Sequence, residues 1–101
     1  MDDTLLHQLM GAYFHEDFHD VYGGVWQTVD AFIADDPAES AQLPNEIAWA
    51  LTKFSTEEAM ESYLTSLGCS YQPQPGEGGY RGWLTEIARR VSAALPGATA
   101  T

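Results

Sequence analysis

Tyr80-Arg81-Gly82-Trp83-Leu84-Thr85-Glu86-Ile87-Ala88-Arg89-Arg90-Val91 carries its large apolar residues at Tyr80, Trp83, Leu84, Ile87 and Val91, with Ala88 between them. That is the repeat of one helical face, and it predicts a helix from Tyr80 to about Leu95. The same period recurs upstream. Met60, Tyr63, Leu64 and Leu67 mark a helix that Gly68 ends, and Ser55-Thr56-Glu57-Glu58 ahead of it has the form of a capping box with Ser55 at the N-cap. Leu43, Ile47, Leu51 and Phe54 form the stripe of a helix from about Ala38 to Phe54, in which Pro44 makes a kink or a fresh start. Val25, Trp26, Val29, Phe32 and Ile33 form another, stopped by Asp35-Asp36-Pro37. Leu5-Leu6, Leu9-Met10 and Tyr13-Phe14 form the first, from about Asp3 to Tyr13. Between the last two helices, Ser70 to Gly79 is rich in Pro and Gly and reads as a loop without a phosphate-binding pattern. No repeat and no strand alternation is visible. The expectation is an all-α, single-domain bundle of about five short helices over residues 1–95, followed by a disordered tail of small residues at 96–101.

Composition narrows the function. Fifteen acidic residues stand against four basic ones, a formal net charge of −11, and no Lys or Arg occurs before Lys53. Nucleic acid and anionic membranes are therefore excluded as partners, since both demand a basic surface. No apolar run is long enough to span a bilayer, and the acidic start Asp2-Asp3 does not suit a secretory signal, so a cytoplasmic location is expected. Cys69 has no second cysteine to pair with and reads as a small core or capping residue.

The stretch Met10 to Gly24 contains His15-Glu16-Asp17-Phe18-His19. On one regular helix this H-E-x-x-H arrangement would set two imidazoles one turn apart for zinc with Glu16 as base, the signature of a zinc hydrolase. Three features oppose it. Asp17 puts a charge inside the motif, Gly11 and Gly23-Gly24 interrupt the helix it needs, and a chain of 101 residues has little room for a third ligand and a cleft. A structural role is preferred, with the aromatics in the core and His15 or Asp17 bonding backbone groups where one helix gives way to the next. No cofactor or metal is called for.

Other residues suit contact with a basic protein. Asp35 and Asp36 place negative charge at the unfavourable end of a helix dipole. Glu57, Glu58 and Glu61 gather on one face of their helix. Trp49 lies about 155° around its helix from the apolar stripe, beside Glu46, where it is either covered by a neighbouring helix or left as an aromatic anchor.

Tyr13-Phe14-His15-Glu16-Asp17-Phe18 followed by Tyr22-Gly23 resembles the YFHQDW…YG opening of a family of small bacterial immunity proteins from contact-dependent growth inhibition systems. Glu46-Ile47, Ser55-Thr56-Glu57-Glu58, Leu67-Gly68-Cys69-Ser70-Tyr71 and Tyr80 to Ile87 follow in that family's order, so the resemblance covers about residues 5 to 91. Glu16 replaces the family's Gln and Phe18 its Trp. The resemblance implies a non-catalytic inhibitor whose partner is the C-terminal toxin domain of a large exported protein, basic, bound one-to-one and of ribonuclease type. The alternatives are the zinc hydrolase above and an acidic adaptor without a toxin partner.

Overall fold

The computed structural model describes residues 3–95, except for the side chains of 19 and 75, and the expected tail at 96–101 lies outside the described residues. Among the described residues seven α-helices follow one another: α1 (Thr4–Gln8), α2 (Phe18–Tyr22), α3 (Val25–Asp35), α4 (Pro37–Ser40), α5 (Leu43–Lys53), α6 (Glu57–Ser66) and α7 (Gly79–Ala94). Among the described residues there is no strand. The radius of gyration of 12.6 Å matches the value of about 13 Å expected for one domain of this length. The protein is an all-α single domain.

Each departure from the expected helix boundaries has a local cause. The first helix continues past Gln8, but over Leu9–Tyr13 its bonding widens by one residue, so that the Phe14 amide donates to the Leu9 carbonyl at 2.9 Å. Gly11, a poor helix former, lies in this wide turn. The helix expected from Ala38 to Phe54 is two helices. Asp36 caps α4 by accepting from the Glu39 amide at 3.1 Å, with Pro37 following directly. Pro44 cannot extend that helix because it has no amide to donate, so α5 starts afresh at Leu43. The capping box at Ser55 does not form. Thr56 is the N-cap instead, with extended backbone and its hydroxyl accepting from the Ala59 amide at 3.1 Å.

Helix α6 ends in a Schellman turn. The Gly68 amide donates to the Thr65 carbonyl, and the Cys69 amide to the Leu64 carbonyl. Gly68 takes φ +102°, and a side chain there would press on Gly11, 3.1 Å away. Two glycines thus let the end of α6 touch the wide turn.

The core is centred on Trp83, which is fully buried on α7, the helix that packs along α5 and α6. Phe14 meets it edge-on with ring centres 4.9 Å apart, and Tyr71, supplied by the long loop, lies 5.0 Å away. Leu43, Ile47 and Ala50 bury one side of α5, while Leu51 and Phe54 of the expected stripe are only partly covered. The buried indole N–H of Trp83 has no hydrogen-bond partner among the described residues. Replacement of Trp83 by Ala should therefore cost about 3–5 kcal/mol, the range for emptying an aromatic site in a core. Trp83→Phe should lose much less, because the indole nitrogen forfeits no bond. Urea unfolding of both variants checks the difference.

Candidate functional site

Positive charge on this molecule is used up internally. Arg81 donates through Nη1 to the Leu51 carbonyl at 2.9 Å and also to the Phe54 carbonyl, which closes the C-terminal end of α5. Arg89 and Arg90 both bind Glu86, at 2.6 and 2.8 Å, and the Arg90 guanidinium lies 4.0 Å above the Trp26 ring. Lys53 lies 5.8 Å over Trp49. Glu86 answers in kind: the bond from Arg89, with help from Arg90, holds its carboxyl down at about 2. These are all four cations of the chain.

Two of the carboxylates expected at a partner interface face inward. Glu46 is 7% exposed, and its two oxygens accept from the amides of Leu5 and Leu6 at 3.3 and 3.0 Å, in the first turn of α1. Glu57 does the same for α7, accepting from Tyr80 at 2.6 Å and Arg81 at 3.2 Å. The need is similar at both sites. Asp3, the N-cap of α1, makes no side-chain cap bond and instead accepts from the Tyr63 hydroxyl at 2.7 Å, while the N-cap of α7 is a glycine. The first turn of each helix takes its acceptor from a distant glutamate. At α7 the fit requires glycine, since Gly79 has φ +71° and a Cβ there would lie 2.5 Å from Glu57 Oε2. Glu46 and Glu57 thus serve the fold as helix caps, Glu46 buried and Glu57 half-buried.

The exposed carboxylates expected at an interface fall into two groups, apart from the other exposed acids Glu16, Asp17, Asp20 and Asp30. Asp35 and Asp36, joined by Glu39, line a cleft of about 140 Å³ together with Tyr13, Phe32, Leu5, Gln8 and other residues of α1 and α4. Glu58 and Glu61 are exposed on α6, which contributes nothing to that cleft. Trp49 is half-buried, with Phe54 and Tyr63 each 6.2 Å away edge-on. Sequence reasoning missed Tyr13 and Glu39. Tyr13 was indistinguishable from a core aromatic, and the only signal for Glu39 was its position three residues after the capping Asp36.

The H-E-x-x-H segment is not one helix. His15, Glu16 and Asp17 form the turn before α2, which begins at Phe18, so the zinc-site spacing has no helical frame. His15 Nδ1 accepts from the Asp17 amide at 3.1 Å, the turn-bonding role expected of it. Among the described residues no group of three metal-binding side chains gathers. Burial pushes the Cys69 thiol up to about 11, which removes its nucleophilic form at neutral pH.

Fold and surface together define a small acidic binding domain with its cations engaged and many carboxylates turned outward. A family model described as CdiI immunity protein matches residues 4–91, and the chain belongs to that family. It is a toxin-neutralising immunity protein that binds a cognate toxin, from a family that is generally non-enzymatic. No helix among the described residues is long and apolar enough to cross a membrane. We found no match among curated proteins or solved structures.

Two measurements test this division of labour. Glu46→Ala and Glu57→Ala should each destabilise the protein by about 1–3 kcal/mol, while Glu58→Ala should stay within about 0.5 kcal/mol of the parent in denaturant titrations. Tyr13 and Tyr71 report on pH. The bond to Asp35 pushes the Tyr13 phenol up to about 12, and burial, followed by the bond to Glu77, does so for Tyr71. A phenol raised in the folded state lends stability that is fully present below the ordinary value of about 10 and is lost as pH rises from there through the folded value. Burial raises Tyr63 and Tyr80 too, so phenolate absorbance should show Tyr13, Tyr63, Tyr71 and Tyr80 titrating late, and Tyr13→Phe should remove one late step.

Proposed function

We propose that this immunity protein neutralises a basic toxin domain of ribonuclease type in the cytoplasm, one molecule on one, by covering the surface that the toxin uses on RNA. The observation that carries this reading is the unbalanced charge of the surface. Acidic side chains on α2, α3, α4 and α6 have no internal cation to meet, because Lys53, Arg81, Arg89 and Arg90 are each engaged elsewhere. Carboxylates presented in this way carry the charge sign of a phosphate backbone and attract the basic groove of a nuclease. Asp35, Asp36, Glu58, Glu61 and the half-buried Trp49 are the sequence-derived contact residues that remain accessible.

Nothing about His15, Glu16 and their turn supports the zinc hydrolase. Its motif lacks the helix that would aim the ligands.

Growth of cells expressing the toxin domain encoded immediately upstream, with and without this chain, tests the proposal. Rescue, a one-to-one complex by light scattering and loss of RNA cleavage in the presence of the complex are the expected results. Failure to rescue or to form a complex, with both proteins folded, would overturn it. Electrostatic encounter adds a kinetic signature: between low and physiological salt the association rate should drop by roughly tenfold or more, with the dissociation rate little changed.

A further inference from the structure

Two of the molecule's aromatic faces are already covered by its own cations. Arg90 stands over Trp26 at 4.0 Å, and Lys53 over Trp49 at 5.8 Å. A third aromatic surface is laid out beside carboxylates, and among the described residues no Lys or Arg lies over it. Tyr13 and Tyr22 stack with centres 5.6 Å apart and planes within 19° of parallel, and His15 adjoins Tyr22 at 6.4 Å. All three are half-buried, so each keeps some surface open. The Tyr13 hydroxyl donates to Asp35, and its ring rests edge-on against Phe32 at 5.2 Å, which fixes the pair in place before any partner arrives. From Asp35 the row runs into the cleft of about 140 Å³ with Asp36 and Glu39.

We propose that this row, from His15 and Tyr22 through Tyr13 to Asp35, Asp36 and Glu39, is the face that receives an arginine side chain of the toxin domain. The inference rests on the toxin-binding reading and adds where the contact falls. Among the described residues no cation lies within salt-bridge range of Asp35, Asp36 or Glu39. One oxygen of Asp35 serves Tyr13 and one of Asp36 serves the Glu39 amide, so each carboxylate retains a second oxygen to accept a guanidinium N–H. Arginine fits better than lysine because a planar cation can lie on a tyrosine while its N–H groups reach the acids. The cleft has the volume of several water molecules at about 30 Å³ each, enough for a guanidinium head.

The test compares two double variants of equal charge change. Asp35→Lys with Glu39→Lys reverses the proposed face, and Glu58→Lys with Glu61→Lys reverses α6. Binding of the upstream-encoded toxin domain should weaken by about 100-fold or more for the first pair. The second pair alters only the long-range field and should weaken binding by about threefold. Circular dichroism and cooperative unfolding establish that each variant is folded, and Glu39→Lys alone repeats the test at an exposed site where the side chain supports no internal bond. Hydrogen exchange on the unaltered complex gives an independent readout, with toxin-dependent protection expected at residues 13–22 and 35–40. Equal losses for the two pairs, a larger loss for the α6 pair, or protection confined to residues 57–66 would overturn the proposal while leaving toxin binding intact. Absence of any complex with the unaltered protein would overturn both.

Discussion

Backbone amides at the start of a helix must find acceptors, and in this small domain two helices take theirs from carboxylates far along the chain. The first turns of α1 and α7 lack an effective N-cap of their own, and Glu46 and Glu57 supply one from 40 and 23 residues away along the chain. Arg81 closes the circuit. It lies in the first turn of α7, where its amide donates to Glu57, while its side chain reaches the last carbonyls of α5. One residue thus links the beginning of one helix to the end of another. Hydrophobic burial around Trp83 holds the helices together, but it is non-directional. The charged caps set which helix end meets which.

This arrangement explains why composition alone gives a misleading picture of the surface. An acidic excess suggests that every glutamate is available to a partner, yet Glu46 and Glu57 are committed to amides, and Glu86 to two arginines. The same commitments remove the cations. What remains outward is therefore more uniformly negative in its local contacts than the count of four basic residues would suggest. Among the described residues the exposed acids of α4 and α6 have no cation within salt-bridge range.

Much of the fold was legible because helical period is a local property. The faces of α3, α6 and α7 follow directly from the spacing of Val29 and Phe32, of Met60 and Leu64, and of Trp83, Leu84 and Ile87. Boundaries were less legible. Ser55 and Thr56 are chemically near-equivalent caps, and only the extended backbone at Thr56 decides between them. The wide turn at Leu9–Tyr13 left no mark in the apolar pattern beyond Gly11. For the candidate site, exposure at a helix end was legible, as for Asp35 and Asp36. It was not legible at Glu46 and Glu57, since their partners are amides far away in sequence, and amides are identical in every residue but proline. The H-E-x-x-H pattern failed for the opposite reason: its letters are local, but its chemistry needs a helix that begins too late, at Phe18.

On the proposed reading of a basic toxin, attraction from a distance and selection on contact draw on different charges here. Long-range attraction depends on the net charge of −11, to which inward carboxylates also contribute, because a screening length of about 8 Å at physiological salt is comparable with the 12.6 Å radius of gyration. Contact selectivity depends on the side chains that can be touched. Moving an acid from the surface into a helix cap leaves the first property nearly unchanged and alters the second, so Glu46 and Glu57 can serve the fold without weakening the encounter. The exposed acids are then free to differ between immunity proteins, since no helix end depends on Glu58, Glu61 or the carboxylate of Glu39. Asp35 and Asp36 are less free. One steadies Tyr13 and the other caps α4, so a change at either is felt both in the fold and at the surface.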